Sequence, residues 1–500
     1  MHAEYLLISL SAFLIFFSIL RRHIDAFILV STAGVLFFLG LAPEISAVLP
    51  TIGFCALGWL LARLCRHSTA AWIPGVCIAV AVACFACLKG YLIVPPAIAL
   101  HGAFTLGLSY VLFRVLHLII EARTGELDEA LRPTRYLAYL LSPFGFISGP
   151  IERYPDFARA LADARNATID DRQALAGLGR IAFGTFKVAL LSLPMRNYFD
   201  RYAAFLDPAK LADAKQFGIL LPTVIAQAWH AAGIPDGSAL AFEQASLFTI
   251  VAPLYFVYLY VNFSGYMDIV IGFGRLCGIA VAENFNHPLR AANVLDFWTR
   301  WHMTLSNWFR IYFFNPLLMA LMGRFDKANS NLQAEAAYFL TFLVLGIWHG
   351  TTPAFVVTGL LLGLGVAANK LFQVWAGSVL GSRRYRELAK RRWYAGLTRG
   401  MTFAYISCAL VTMWAADEAQ LFHLLAVAAA PAFVALSVGA AAAFAIADGA
   451  AAIARRAAPL WPAALLPAAR VALVSSLLLA TILANMVNGL AAQTFVYQGY

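Results

Sequence analysis

The sequence predicts an all-α fold, a polytopic integral membrane bundle of about 10–12 membrane helices with additional re-entrant and interfacial helices. Three observations lead there. Hydrophobic residues make up 62% of the chain and charged residues 12%, with a mean hydropathy of +0.75, whereas a soluble domain has about a quarter of its residues charged. Apolar runs near the roughly 20 residues that span a bilayer recur along the whole length. These runs are rich in Ala, Leu and Phe and lack the two-residue alternation of barrel strands, which leaves bundled helices as the way to satisfy the backbone in lipid.

Taken in order, the first run, Leu6–Leu20, is followed by Arg21, Arg22 and His23. It has no positive region before it and no small-residue cleavage site at its end, so it reads as an uncleaved first helix. Basic residues favour cytoplasmic loops. That rule puts Met1 outside and Arg21 inside, Pro43 and Glu44 outside after Ile24–Leu41, and Arg63 and Arg66 inside after Ile45–Leu64. Ile73–Leu88 and Ala97–Ile120 are further runs. The strongest basic run, Arg383, Arg384, Arg386, Lys390, Arg391, Arg392 and Arg399, is expected to be a cytoplasmic loop. Met401–Trp414 then leads outward to Asp417 and Glu418, the Ala-rich stretch from Leu421 returns to Arg455 and Arg456, and Val471–Met486 leads out again. Both termini are therefore expected outside.

A net charge of +10 raises nucleic acid as a partner, but the charges sit on short loops between apolar runs. Membrane orientation and anionic lipid account for them, and no nucleic acid is expected. Most of the seven cysteines lie inside apolar runs; Cys84 and Cys87, spaced C-x-x-C, read as small packing residues because redox chemistry needs an exposed, acidic thiol. No metal is expected, since no H-x-x-x-H or Cys/His ligand spacing occurs. The longest polar stretches, Glu121–Arg135 and Pro155–Arg172, are too short for a soluble domain. One membrane domain over 1–500 is the expected organisation, with a motif-bearing core at about 136–366 and flanking helices at 1–120 and 400–490. The Ala-rich residues Ala426–Ala458 suit close helix packing.

The core differs in kind, because it mixes Trp, His, Arg, Asp and Asn into membrane-like sequence, where such residues are costly and mark functional cavities. Its first polar island is Leu141–Tyr154, in which Pro143, Gly145, Gly149 and Pro150 prevent a regular spanning helix. Two readings are open: an ordinary interhelical loop, or a re-entrant segment around Ser148, Gly149, Pro150 and Arg153 that lines a water-accessible chamber and precedes an interfacial helix. The second island, Asn262–Asn315, contains Asp268, Asn284 and the stretch D-F-W-T-R-W-H-M-T-L-S-N-W-F-R. On a helix Asp296 and Arg300 pair at i, i+4, while Arg300, Trp301, Thr304 and Trp308 share one face and His302 and Ser306 another. An amphipathic helix at the cytoplasmic edge fits this pattern, and Trp298, Trp301 and Trp308 could equally anchor it at the interface. The third island, Leu343–Pro353, holds His349 in a nearly uncharged run, beside Trp348 and a glycine, Gly350, that permits close approach of a ligand or backbone. Here too two readings are open. The imidazole either packs through a hydrogen bond or, kept neutral by burial, accepts a proton as a general base from within a hollow reachable from both membrane faces. The other histidines have no comparable setting.

In order, S-G-P-I-E-R-Y (Ser148–Tyr154), F-S-G-Y-M-D (Phe263–Asp268), E-N-F-N-H-P (Glu283–Pro288), D-F-W-T-R-W-H-M-T-L-S-N-W (Asp296–Trp308) and G-I-W-H-G (Gly346–Gly350) resemble the membrane-bound O-acyltransferase family. The similarity is strongest to its branch of alginate O-acetyltransferases and teichoic acid D-alanyl transferases, and the ending F-V-Y-Q (Phe495–Gln498) resembles that branch as well. The sequence departs from it at Ile311–Leu318, where relatives carry a glycine-rich I-P-L-G-G. The resemblance implies a many-helix bundle with a tunnel, and carries catalytic roles to His349 and His302. Asp268, Asn284, Asp296, Arg300, Trp301, Ser306, Arg310, Trp348 and Gly350 are the expected donor or substrate contacts, with two readings open for Arg300, Arg310 and the nearby basic loop: holding donor phosphates, or anchoring at the membrane surface.

What it implies about function is transfer of an acyl group, expected to be acetyl, from a cytoplasmic thioester to a hydroxyl of an extracytoplasmic polysaccharide or of a protein that modifies it. The donor expected is acetyl-CoA or a carrier-protein thioester, with no bound cofactor. The expected partners are the bilayer, an extracytoplasmic esterase-like or acetyltransferase-like protein and polysaccharide machinery, and the expected location is a bacterial cytoplasmic (inner) membrane. A transporter or flippase for a polar or lipid-linked solute is the competing reading, because broken helices and intramembrane polar residues also mark transport paths. A catalytically silent scaffold for polysaccharide export is a third.

Overall fold

The computed structural model describes residues 23–38, 45–91, 94, 107–125, 127, 129–203, 206, 231, 236–325, 330–415, 417–427, 430–457 and 476, and among them there is no strand. Five helices among the described residues are long and apolar enough to cross a membrane: Leu49–His67, Asp171–Ala203, Gln244–Leu276, Pro353–Leu380 and Ala432–Ala452. Ile24–Ala33 and Ile73–Lys89 are shorter apolar helices. The expected first helix, both termini, residues 97–106, Val471–Met486 apart from Ser476, and the ending Phe495–Gln498 lie outside the described residues.

Contacts divide the chain into two compact units. The first takes its described residues from Met1–Leu190, Phe263–Asn284 and Ala472–Tyr500. It contains α1 (Ile24–Phe38), α2 (Ile45–His67), α3 (Ile73–Lys89), α4 (Leu108–Glu121), α5 (Pro133–Leu140), α6 (Tyr154–Asn166), α7 (Asp171–Phe186) and the last turns of α9. Sequence signals set several boundaries. Pro74, Pro133 and Pro155 stand in first turns, where a missing N–H costs nothing. The Asp170–Gln173 capping box opens α7, and Gly90 at φ 65° closes α3. Helices α2, α3 and α4 pack mutually. At Gly58 of α2 an added methyl carbon would lie 2.7 Å from the Tyr136 hydroxyl, which itself donates to the Cys55 carbonyl at 2.7 Å, so only glycine lets α5 approach.

The second unit takes its described residues from Leu191–Asn262 and Phe285–Val471. It contains α8 (Leu193–Ala203), most of α9 (Asp236–Leu276), α10 (Val294–Trp298), α11 (Met303–Phe309), a π-helical turn (Arg310–Phe314) and α12 (Asn315–Arg324). Then follow α13 (Ser330–His349), α14 (Pro353–Leu380), α15 (Ser382–Ala389), α16 (Arg392–Leu410), α17 (Glu418–Val427) and α18 (Ala430–Ala457). The pair α13–α14 is a helical hairpin whose crossing is made by glycine on glycine: a methyl carbon on Gly346 would meet Gly359 Cα at 2.5 Å and the Phe355 carbonyl at 2.6 Å. Helix α16 packs on the Ala-rich α18, where a methyl carbon on Gly400 would come within 2.9 Å of Ala441 Cβ. Small side chains let these backbones close up where lipid supplies no hydrophobic drive between helices.

Candidate active site

In the second unit, Asn293 caps α10 by accepting the Asp296 N–H at 2.9 Å. Asp296 accepts from Arg300 Nε at 2.8 Å through one oxygen and from the Ala292 N–H at 2.9 Å through the other. The Arg300 carbonyl in turn accepts the Asn286 N–H at 2.9 Å. The i, i+4 pair thus ties the loop at 286–292 to the helix start, a structural duty as much as a chemical one.

The stretch is not the single amphipathic helix expected from its spacing. Helix α10 ends at Trp298, and His302 adopts the left-handed conformation at φ 41° before α11 begins. A non-glycine residue there costs on the order of 1–3 kcal/mol and persists where surrounding contacts impose it. The chain restarts as helix with the Ser306 N–H on the His302 carbonyl at 3.0 Å, and Ser306 Oγ donates to the Trp301 carbonyl at 3.2 Å. The interfacial-anchor reading fails for two of the three tryptophans, because Trp301 and Trp308 are buried. Trp301 stacks on Phe297 with centroids 5.5 Å apart and meets Phe285 edge-on at 5.1 Å, inside a cluster that includes Phe256 and Tyr260. Aromatic contacts of this kind are worth more than their burial alone.

Both expected catalytic imidazoles lie in this unit and are electrostatic neighbours. His302, in the connection between α10 and α11, is 1% exposed; burial, followed by the nearby His349 ring, pushes its pKa down to about 3 and keeps it neutral. His349 ends α13, and its Nδ1 lies 2.7 Å from the Leu345 carbonyl, one turn back. A carbonyl can only accept, so Nδ1 carries the proton and the lone pair of the neutral ring is on Nε2. The Trp348 ring stands edge-on to it at 4.6 Å. Above Gly350 the space is filled by the Phe355 ring, so this glycine serves packing and not the approach of a ligand.

The same unit holds a cavity of about 770 Å³, walled by α10, α11, the π-helical turn, α13 and α14. Asp296, Ser306 and Arg310 are in its wall, as are Met303 and Leu345, which adjoin the two imidazoles in sequence and hydrogen bonding; the imidazoles themselves are not. Its polar lining is mainly amide and hydroxyl, from Asn293, Asn307, Thr304, Tyr338 and Gln373 among others, and Arg310 is held to Asn307 at 2.6 Å. Trp298, also in the wall, has its indole N–H buried without an acceptor among the described residues.

The remaining expected residues assemble separately in the first unit. Leu141–Arg153 is a run of turns and extended chain in which Phe144, Phe146, Ile147, Ser148 and Ile151 are buried, not an exposed loop, and α6 follows it. Gly149, at φ 89° and joined to Pro150 by a cis peptide, lies beside buried Asn284. Asp268 is bound by Arg180 Nε at 2.9 Å and Lys187 Nζ at 2.6 Å, and Arg180 also forks onto Glu283. This network sits where α7 and α9 touch through glycines, a methyl carbon on Gly184 falling 2.5 Å from the Gly265 carbonyl. Arg153 pairs with Glu121 at 2.8 Å.

The sequence reading missed the residues that hold this segment in place. Arg114, 3% exposed, donates to the carbonyls of Leu140 at 2.6 Å and Pro150 at 3.4 Å. His117 Nε2 accepts the Tyr154 N–H at 2.9 Å. Arg114, His117 and Glu121 stand at i, i+3 and i+7, one face of α4, and that spacing was the available signal.

Residues 121–392 match the model of the MBOAT, membrane-bound O-acyltransferase family. The chain is 29% identical over 304 residues to the teichoic acid D-alanyltransferase of Bacillus subtilis (strain 168), covering 60% of this chain and 66% of that one. It is 28% identical over 279 residues to the probable alginate O-acetylase AlgI of Pseudomonas aeruginosa, covering 56% and 45%. With the peptidoglycan O-acetyltransferase of Helicobacter pylori it shares 28% identity over 229 residues, covering 45% and 35%. The chain thus spans less than two thirds of the length of each of these relatives.

Proposed function

Because the chain belongs to the membrane-bound O-acyltransferase family, we propose that it is a membrane enzyme that moves a small acyl group from a thioester donor to a hydroxyl on a cell-envelope polysaccharide, or on a protein that then modifies that polymer. The relatives are named for alanyl or acetyl transfer, and both groups are small, which supports a small acyl group here. Acetyl is the first candidate, delivered by acetyl-CoA or a carrier-protein thioester from the cytoplasmic side of a bacterial inner membrane. An extracytoplasmic esterase-like partner would pass the group on.

The observation that carries the reading is the His349 ring, whose Nδ1 proton is committed to Leu345 and whose basic nitrogen is therefore Nε2. In the proposed step Nε2 takes the proton of the acceptor hydroxyl while that oxygen attacks the thioester carbonyl. The tetrahedral adduct then expels the thiolate, which recovers the proton from the imidazolium. General-base help of this kind contributes on the order of 10²–10⁴ in rate. His302, neutral and beside it, would steady the developing oxyanion. The amide-rich cavity has room for the donor's thioester end.

Purified protein supplied with a radiolabelled acetyl thioester and polysaccharide acceptor, with and without envelope proteins of the source cell, should yield a covalently labelled hydroxyl ester. Movement of an unmodified solute across proteoliposomes with no covalent product would reject the enzymatic reading.

A further inference from the structure

The most strongly charged surface among the described residues takes no part in the proposed chemistry. Between Ser382 and Trp393 stand Arg383, Arg384, Arg386, Lys390, Arg391 and Arg392, all exposed, against one acid, Glu387. Arg383 neutralises that acid at 3.1 Å. Arg384, Lys390, Arg391 and Arg392 have no ion-pair partner among the described residues.

What adjoins these charges identifies the ligand. The preceding α14 is apolar enough to cross a membrane, and its last turns expose Leu371, Phe372, Trp375 and Val379 outward. At Gly381, φ 79°, the chain turns directly into the basic α15. Trp375 and Trp393, 59% and 63% exposed, flank the arginines, and Phe372 contacts both Trp375 and Tyr385. A surface that passes from exposed aliphatic groups through tryptophans to guanidinium groups within a few residues matches the profile of one lipid molecule, from acyl chain through glycerol level to headgroup. An acidic soluble protein would match only the charged end. We propose that the end of α14, α15 and the start of α16 form a binding site for anionic phospholipid, with the phosphates held by Arg384, Lys390, Arg391 and Arg392 and the chains laid along the outer face of α14.

The full-length protein, purified in neutral detergent, can be exposed to equimolar phosphatidylglycerol and phosphatidylcholine and its retained lipid read by native mass spectrometry. Wild-type protein should retain phosphatidylglycerol at least tenfold over phosphatidylcholine, and the preference should shrink as salt rises from about 0.1 to 1 M. The combined variant Arg384→Gln, Arg391→Gln, Arg392→Gln should lose selectivity on the order of 100-fold or down to parity, at about fivefold per basic group near the surface. The same change at the exposed Arg159, Arg165 and Arg172 should leave it intact. Equal retention of the two lipids by wild-type protein, or an undiminished preference in the α15–α16 variant, would overturn the proposal. So would a variant that keeps its lipid selectivity but loses binding of an acidic carrier protein, which would assign the surface to a protein partner. The salt titration uses wild-type protein alone, so the test stands even if the variant folds poorly.

Discussion

Replacing Gly346 with alanine should damage transfer far beyond the size of one methyl group. The added carbon would lie 2.5 Å from Gly359 Cα and 2.6 Å from the Phe355 carbonyl, and both obstacles are backbone. Carbon atoms rest about 3.5–4.0 Å apart, so α13 and α14 must separate by about 1 Å at this point. The crossing lies three residues before His349, whose Nδ1 bond to Leu345 is made within the same turn. Overpacking of this kind costs about 1–3 kcal/mol, and a displacement near 1 Å at a reacting group costs about 10²-fold in rate. Two glycines of α14 provide a graded control. At Gly363 the nearest atoms are the Phe339 ring and carbonyl at 3.1 Å, which ask for a few tenths of an ångström. At Gly377 the nearest atom is Ser382 Oγ at 3.9 Å, so alanine should be neutral or stabilising, by up to about 1 kcal/mol. Initial rates and melting temperatures of the three alanine variants should fall in the order Gly346, Gly363, Gly377, with Gly346 lowest in both. Wild-type rate and melting in Gly346→Ala, or three indistinguishable variants, would refute the argument from close helix approach.

Two further outcomes follow from buried groups. Arg114→Met strips two buried carbonyls of their donor, at about 1–3 kcal/mol each, so detergent-solubilised protein should lose several degrees of melting temperature; Arg114→Lys should not restore them, since one ammonium cannot reproduce the fork. His302 binds its proton only near pH 3 when folded but near 6.5 when unfolded, so the unfolded chain gains protons first as pH falls. Stability from this group is therefore whole above pH 6.5 and declines toward pH 3, by about 1.4 kcal/mol per pH unit. Melting temperatures of wild type and His302→Gln, compared from pH 4 to 8, should diverge on the acid side, with the wild type losing more; parallel curves would contradict a buried neutral ring.

The bundle itself was legible because apolar runs and their length carry the membrane signal directly, and the Asp296–Arg300 pair could be read from i, i+4 spacing. The break at His302 could not, because neither glycine nor proline marks it and the left-handed turn is imposed by its surroundings. For the same reason Trp301 looked like an interfacial anchor: its burial depends on Phe256, Tyr260 and Phe285 arriving from elsewhere in the chain. Arg114 and His117 stand at helical spacing within an apolar run, but their partners, the Leu140 carbonyl and the Tyr154 N–H, reach them only once the Pro- and Gly-rich segment has folded back on α4. The role of Gly350 was misread because the ring that fills its space comes from Phe355, five residues on, after the chain has turned.

Single-turnover transfer from a radiolabelled thioester by purified wild-type, His349→Ala and His349→Gln proteins, each checked for helicity and melting, tests most directly whether His349 is the base. The expected result is loss of at least 10²-fold in both folded variants. Transfer by folded His349→Ala within a few-fold of wild type would show that the proton leaves the hydroxyl by another route.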